Sequence, residues 1–303
     1  MRKGFCLLVF ITTYLLSGCN NESPQESKTA QQKAKIIAVN YPLFYMSKKL
    51  AADLAEVTLP VPADIDPAQW QPQLEDVIKL QSAELVILNG AGYSNWLNKV
   101  TLFPSKLVDS SATAKSQYIE LTKQPTHSHG PAGEHSHAGY AFTTWMDLSL
   151  AKQQASMIAE AMEKRWPEQS NAIQSRKLAL LQELTTLDEQ YQIQAKKLTD
   201  RNLFYSHPVY QYFEQRYQLP GYSFHWEPEE MPSEQQWKKL EQLMAKSSNN
   251  LFVWEDEPSS PIADRMKAIG LEFVVIRPAA NRSDNDWLTE QQLNLQRLEV
   301  CCQ

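Results

Sequence analysis

A long run of helical periodicity, residues 149–200, most constrains what this chain can fold into. Pro167 interrupts it and is expected to end one helix and start the next, because proline fits the first turn of a helix but not its interior. After Pro167 the apolar residues recur at helical spacings: Ile173, Leu180, Leu184, Leu187, Tyr191 and Leu198. A helix of about thirty residues is about 45 Å long. The pattern predicts a rigid connection between two lobes, with the core helix of a single domain as the alternative.

Short apolar runs lie on both sides of this segment and alternate with amphipathic stretches, for example residues 46–54 and 235–244. Strands without a polar face are typical of parallel sheets that helices cover on both sides. The predicted strands are residues 35–39, 85–88, 107–108, 203–205, 251–253 and 273–276. The predicted fold class is α/β, with two lobes that each contain a parallel sheet with helices on both faces. One long rigid helix joins the lobes, and a cleft lies between them.

The predicted domain boundaries follow from this pattern and from the chain length of 303 residues, which exceeds an ordinary single domain. Residues 35–167 form an N-terminal α/β lobe, residues 168–200 the connecting helix, and residues 201–303 a C-terminal α/β lobe.

The N-terminus has the features of an export signal. Arg2 and Lys3 precede an apolar run that is too short to span a bilayer, and Leu16-Ser17-Gly18-Cys19 resembles the bacterial lipobox. We expect residues 1–18 to be a cleaved signal peptide, Cys19 to carry a lipid, and residues 19–34 to be a flexible tether. The predicted location is extracytoplasmic, anchored to a membrane face, on the periplasmic side in a Gram-negative cell. An uncleaved N-terminal anchor is the alternative.

Composition and motifs exclude several classes of function. Acidic residues outnumber basic ones 35 to 29, giving a net charge of −6, which argues against a nucleic-acid partner. The sequence has no Gly-rich phosphate loop, no Gly-x-Ser-x-Gly and no His-Glu-x-x-His motif, so we predict neither an enzyme nor an organic cofactor. Apart from Cys6 and Cys19, the remaining cysteines are the adjacent Cys301 and Cys302, which provide no disulfide framework.

A histidine-rich segment lies within residues 125–140, punctuated by Gly and Pro. It contains two His-Ser-His pairs, formed by His127, His129, His135 and His137. Imidazole nitrogens favour borderline divalent ions, so the segment predicts weak binding of zinc, with copper and nickel next. A polar surface loop without a ligand is the alternative.

Three further side chains lie at predicted strand ends in the second half of the chain. His207 follows the strand at 203–205, Glu255 follows the strand at 251–253, and His225 lies in Tyr222-Ser-Phe-His-Trp-Glu227. Ligands of open α/β folds bind at the carboxyl ends of strands. His207 and His225 are therefore candidates for binding, with a structural role as the alternative for each.

Several motifs, in order along the chain, resemble those of zinc and manganese solute-binding proteins of bacterial ABC importers. These are Tyr41-Pro-Leu, Asp66-Pro67-Ala68-Gln69-Trp70, Leu88-Asn-Gly-Ala-Gly-Tyr-Ser-Asn-Trp-Leu97, Thr144-Trp-Met-Asp147, Ser206-His-Pro-Val-Tyr-Gln-Tyr-Phe213 and Pro228-Glu-Glu-Met-Pro-Ser233. The resemblance covers residues 36–277 and implies a two-lobed binding protein with a metal ion in the cleft, served by an ABC permease.

The resemblance also implies a degenerate metal site. Where the family has its first two histidine ligands, this chain has Ala68 and Thr143; His207 matches the third ligand, and the late acidic position falls on Arg277. One imidazole cannot hold zinc tightly, and a guanidinium beside it repels a dication.

Two functional hypotheses follow. The first is a lipoprotein of metal uptake, most simply of zinc, with an atypical site formed by His207 and the histidine-rich loop. The second is a solute-binding-like lipoprotein that has lost the metal pocket and binds another ligand or a protein, with Ala68, Gln69, Thr143, His225, Glu255 and Arg277 around the cleft. An ion pair between Arg277 and Glu255 or Asp256 would favour a filled pocket, with partner binding elsewhere.

Overall fold

The computed structural model describes Met1, residues 33–121 and residues 139–301. Residues 2–18 of the predicted signal peptide, Cys19, most of the tether, the four loop histidines and Cys302 lie outside the described residues. In the part of the chain that is described, no helix is long and apolar enough to cross a membrane.

The N-terminal half forms a four-stranded parallel sheet. Its elements are β1 (Ala34–Ala38), α1 (Tyr41–Ala51), β2 (Ala55–Thr58), α2 (Leu74–Ser82), β3 (Leu85–Leu88) and β4 (Leu107–Asp109), and the strand order is β2-β1-β3-β4. Helix α1 begins earlier than the predicted residue 46, because Asn40 caps it by accepting a hydrogen bond from the Leu43 amide at 3.1 Å and Pro42 fits its first turn. The short edge strand β2, which is partly exposed, was not predicted.

A two-stranded antiparallel ladder follows, formed by β5 (Glu120–Leu121) and β6 (Gly139–Tyr140). Leu121 pairs with Gly139, so the described residues on either side of the four loop histidines are neighbours in this ladder.

The long periodic segment forms two helices, as predicted. Helix α3 (Leu148–Arg165) is capped by Asp147, and α4 (Ser170–Ala195) begins just after Pro167. Helix α4 has 26 residues and is about 39 Å long. All six residues of the predicted apolar stripe are buried.

The C-terminal half forms a second parallel sheet. Its elements are β7 (Asn202–Tyr205), α5 (Gln211–Tyr217), β8 (Gly221–Ser223), α6 (Glu234–Met244), β9 (Asn250–Trp254), α7 (Ser260–Ala268), β10 (Glu272–Val275) and α8 (Trp287–Cys301), with strand order β10-β9-β7-β8. Both faces are apolar: Phe204 and Phe252 pack in a core with α6 and α7, whereas Leu203 and Leu251 pack in the core that contains α4 and α8. The predicted α/β class, with helices on both faces of each sheet, is confirmed.

Helix α4 contacts both halves. Near its start, the Arg176 guanidinium donates to the Leu50 carbonyl at 3.1 Å, and near its end the Tyr191 hydroxyl donates to the Gln291 carbonyl at 2.7 Å. Asp188 is buried in the same helix and pairs with Lys152 of α3 at 3.3 Å and with Arg216 of α5 at 2.5 Å. The connecting helix is therefore fixed to elements of both lobes.

Direct hydrogen bonds also join the lobes. The Trp145 indole donates to the Pro278 carbonyl at 2.8 Å, and the Tyr212 hydroxyl donates to the Ala141 carbonyl at 2.9 Å. The Asn281 amide also donates to the carbonyl oxygens of Pro62 and Ile65 at 2.6 and 2.7 Å.

Candidate metal centre in the C-terminal lobe

The candidate site lies where the chain changes direction in the second sheet. From β7 the chain crosses to β8 on one side and then back past β7 to β9 on the other, so β7 and β9 are neighbours whose connections diverge. Such a switch point leaves a crevice at the carboxyl ends of the strands. His207 follows β7 and Glu255 follows β9, so the topology places both side chains at this crevice.

A third strand end brings two more side chains. After β8 the chain stays extended, because the Phe224 amide donates to the Tyr205 carbonyl at 2.8 Å and the Trp226 amide donates to the Ser206 carbonyl at 2.9 Å. Phe224 and Trp226 are buried in the aromatic core. Since side chains alternate along an extended segment, His225 and Glu227 face the opposite way, away from that core.

Gly221 allows β8 to lie this close to β7. A Cβ atom on Gly221 would lie 2.5 Å from the Tyr205 ring and 2.6 Å from the Leu203 carbonyl oxygen. Any side chain here would push the two strands apart and move the segment that carries His225 and Glu227.

His207 connects the strand ends. Its Nδ1 lies 2.7 Å from Glu255 Oε1 and its Nε2 lies 3.2 Å from Glu227 Oε1, and each residue offers a ligand atom within 4.8 Å of the others. The exposed fraction of the side chain is 12% for His207, 26% for Glu255 and 45% for Glu227. The His225 ring is perpendicular to the His207 ring, with centroids 6.0 Å apart.

Two carboxylates control the charge of His207. Burial by itself lowers the pKa of the imidazole, but hydrogen bonds to Glu227 and Glu255 and their negative charges outweigh it and raise the pKa of His207 to about 9. At neutral pH the imidazole therefore carries a proton, and a metal ion must displace that proton to reach the nitrogen.

Arg277 is held by acidic partners on two sides. Its guanidinium Nη2 lies 2.7 Å from Asp256 Oδ1, and its Nη1 lies 3.4 Å from Oε1 of the buried Glu290. Burial raises the pKa of Glu290, but hydrogen bonds from Arg297 and Asn285 outweigh this effect and lower it. The pair with Asp256 meets the condition that favours a filled pocket, with partner binding elsewhere.

The predicted cleft residues of the N-terminal lobe do not supply metal ligands. Ala68 is half-buried in a turn in which its amide donates to Asp66 Oδ1 at 2.9 Å, and Gln69 is exposed. Thr143 is buried, and its hydroxyl donates to the Val209 carbonyl at 2.7 Å. This hydroxyl joins the two lobes directly where the resemblance implies a histidine.

The switch point of the first sheet, between β1 and β3, has a neutral polar network. Asn89 Oδ1 accepts hydrogen bonds from the side chains of Asn40, Thr144 and Gln154, each at 3.2 Å. Gln154 also donates to the Ser110 hydroxyl at 3.0 Å. All five residues have exposed fractions of 0%.

Glu227 is the site residue that the sequence analysis did not select. Its position depends on the pairing of β8 with β7, two strands separated in sequence by α5. A local signal was present, because Phe224, His225, Trp226 and Glu227 alternate between apolar and polar side chains.

Comparison with known proteins identifies a family and several relatives of this chain. The sequence model of the family described as "ZnuA: Zinc-uptake complex component A periplasmic" matches residues 36–301. The zinc-binding lipoprotein AdcA of Streptococcus pneumoniae is 22% identical over 94% of this chain and 57% of AdcA, so the chain spans little more than half of that relative. The high-affinity zinc uptake system protein ZnuA of Bacillus subtilis is 24% identical over 91% of this chain and 88% of ZnuA.

Solved structures show the same fold. The metal-dependent lipoprotein YcdH of Bacillus subtilis superposes with a TM-score of 0.74 at 19% identity, covering 89% of this chain and 98% of YcdH. The zinc-bound ZnuA-like domain of Streptococcus pneumoniae AdcA gives 0.73 at 18% identity, covering 88% and 98%. The manganese complex of FpvC from Pseudomonas aeruginosa gives 0.68 at 18% identity, covering 89% and 97%.

Proposed function

Because the chain belongs to the family of periplasmic zinc-uptake component A proteins, we propose that it is an extracytoplasmic solute-binding protein of ABC-type metal uptake that binds a divalent ion, zinc first. The observation that carries the proposal is the group formed by His207, Glu227 and Glu255. In this proposal the ion is cargo, and the protein performs no chemical reaction on it.

The donor set suits such an ion. An imidazole nitrogen with carboxylate oxygens is a combination that zinc accepts, and an ion bound by three protein groups keeps a position open for water. Carboxylate oxygens also suit manganese, but at equal availability the affinity order of first-row divalent ions favours zinc over manganese. Asp256 and Glu290 offset the charge of Arg277, and the two carboxylates beside His207 attract a cation.

Further parts of the proposal concern residues outside those described. We propose that His127, His129, His135 and His137 form additional, weaker sites that raise the local concentration of the ion. We also propose that Cys19 carries a lipid that keeps the protein at a membrane face near an ABC permease. The names of the relatives as lipoproteins support this location.

Zinc titration by calorimetry on two forms that start at Asn20 tests the proposal. The first form is otherwise complete, and the second lacks residues 125–138. The deletion leaves residues 122–124 as a three-residue connection between Leu121 and Gly139, a length that suits an antiparallel hairpin. We expect one tight site in both forms and weak additional sites only in the complete form. Absence of zinc binding in the complete form would rule out the proposed function.

A second candidate, a solute-binding-like protein without a metal pocket, is favoured by the Arg277–Asp256 pair and by the absence of ligating side chains at Ala68 and Thr143. It predicts that neither form binds a first-row divalent ion. The same titration therefore separates the two candidates.

A further inference from the structure

We infer that His225 is a direct ligand of the proposed ion, together with His207 Nε2 and Glu227, and that Glu255 positions His207 without binding the ion. This assignment rests on the proposed metal-binding function and concerns which side chains bind the ion.

The geometry of the His207 ring separates the roles of the two glutamates. The two ring nitrogens point in divergent directions, and each carboxylate lies against a different one, Glu227 at Nε2 and Glu255 at Nδ1. Nδ1 lies 2.7 Å from Glu255, an ordinary length for a hydrogen bond with charge on both partners. Ligating histidines usually donate their second N–H to a carboxylate, which fixes the ring and makes the ligating nitrogen more basic.

The difference in solvent exposure between the two glutamates identifies Nε2 as the His207 nitrogen that binds the ion. Nε2 faces Glu227, whose side chain is 45% exposed, whereas Glu255 on the other side of the ring is 26% exposed. Glu255 is also held by its own backbone, since its amide donates to the Ser206 hydroxyl at 3.2 Å. An ion that arrives from solvent therefore meets Nε2 and Glu227 first.

His225 lies on the same side as Glu227. The two residues are separated by one position in an extended segment, and the alternate residues Phe224 and Trp226 point into the aromatic core. The His225 and His207 centroids are 6.0 Å apart. Two imidazoles on one tetrahedral zinc ion have centroids roughly 5 to 5.5 Å apart, because each Zn–N bond is about 2.1 Å. A small side-chain adjustment is enough to bring both rings to one ion.

All three ligands of this assignment come from the C-terminal lobe, between residues 207 and 227. Binding therefore requires no movement of one lobe towards the other, and the hydrogen bonds between the lobes, such as that from Thr143 to Val209, stay in place.

The test uses the form without residues 125–138 and three substitutions in it: His225→Ala, Glu255→Gln and, as a matched control, Glu229→Gln, an exposed carboxylate near the site. Zinc affinity is measured by competition with a chelating dye, and the visible spectrum of the cobalt complex reports the ligands. We expect His225→Ala to weaken zinc binding more than 100-fold and to change the cobalt spectrum. Glu255→Gln should weaken it roughly 10- to 100-fold with an unchanged spectrum, as for a group that orients a ligand. Glu229→Gln should change neither.

X-ray absorption of the zinc complex of the unsubstituted form gives a second readout that does not depend on how the variants fold. Two imidazoles on zinc support the assignment. One imidazole, or unchanged zinc binding by a folded His225→Ala protein, overturns it while the proposed function stands. If the unsubstituted form binds no zinc, the assignment falls together with metal binding at this centre.

Discussion

The two sheets have the same arrangement, but their switch points differ in chemistry. At the N-terminal switch point, Asn40, Asn89, Thr144 and Gln154 form a neutral hydrogen-bonded network without exposure to solvent. At the C-terminal switch point, His207 lies between two carboxylates that reach solvent. One crevice is filled by neutral side chains that hydrogen-bond to each other, and the other presents titratable groups that can bind a cation.

This difference shows how one framework can keep its shape while its ligand groups change. A neutral buried network stabilises the lobe, because every donor has a partner and none is charged. A charged group at a partly open site contributes less to stability, because solvent screens it, but it can exchange a proton for a metal ion. We therefore expect substitutions at the N-terminal switch point to change mainly stability and those at the C-terminal switch point to change mainly metal binding.

The largest expected effect is on zinc affinity. In the form without residues 125–138, His207→Ala should lower the affinity more than 100-fold, or about 3 kcal/mol, because the central nitrogen ligand is lost. Asn89→Ala should leave the affinity of the folded protein unchanged. Competition titrations at one pH measure both, and equal losses in the two variants would contradict the separation of roles.

The second effect is on stability, where a substitution at the N-terminal switch point is expected to have the larger effect. Asn89→Ala removes the acceptor of three buried donors and should lower the free energy of unfolding by about 3 kcal/mol. Asn249→Ala is the matched control, because Asn249 is exposed and its loss should cost under about 0.5 kcal/mol. Urea unfolding followed by tryptophan fluorescence measures both. A loss below about 1 kcal/mol for Asn89→Ala would show that the network does not stabilise the lobe.

The third effect is on pH dependence. The pKa of His207 is raised from 6.5 to about 9, so its contribution to stability is fully present below pH 6.5 and is lost as the pH rises through about 9. Metal-free protein should lose stability over this window, and His207→Gln should lose less. Burial raises the pKa of Glu214 from 4.5 to about 7, which makes stability fall with rising pH between those values, so the comparison is made above pH 7.

The same raised pKa predicts proton release on metal binding. Near neutral pH, zinc must displace the His207 proton, so about one proton per ion should be released from this residue. Calorimetry in buffers with different ionisation enthalpies measures the number. A value near zero at about pH 7.5 would contradict the combination of a raised His207 pKa and zinc binding at this residue.

The smallest effect concerns Arg277. Arg277→Gln removes an exposed pair with Asp256, and Glu290 keeps Arg297 at 2.9 Å, so stability should fall by about 1 kcal/mol or less. Zinc affinity should change less than tenfold. Arg265→Gln, which removes a surface pair with Glu234 in the same lobe, is the control. A tenfold or greater gain in affinity on losing Arg277 alone would show that this residue opposes the ion.

Much of the fold could be predicted because its signals are local. The apolar runs of β3 and β9 and the stripe along α4 identify buried strands and a long helix without knowledge of their partners. Strand β2 was not predicted, and β8 was implied only by the placement of His225 at a strand end, without a range, since both strands are short, lie at sheet edges and contain few apolar residues.

The site was predicted less completely, because its contacts join distant parts of the chain. His207 was selected from its place after a strand, and the resemblance indicated the loss of ligands at Ala68 and Thr143. The proximity of Glu227 to His207 and the burial of Glu290 behind Arg277 both depend on tertiary pairing, of β8 with β7 and of α8 with β10. Neighbouring residues in a single sequence do not show which distant strands and helices pack together.

The most direct test of the central claim, that the metal site of the described chain lies in the C-terminal lobe, is the metal content of the form without residues 125–138. The protein is purified without a chelator or metal-affinity resin, and first-row metals are counted by mass spectrometry. We predict close to one divalent ion per chain, zinc first, and its loss in His207→Ala. A metal-free protein, or an ion retained in His207→Ala, would contradict the account.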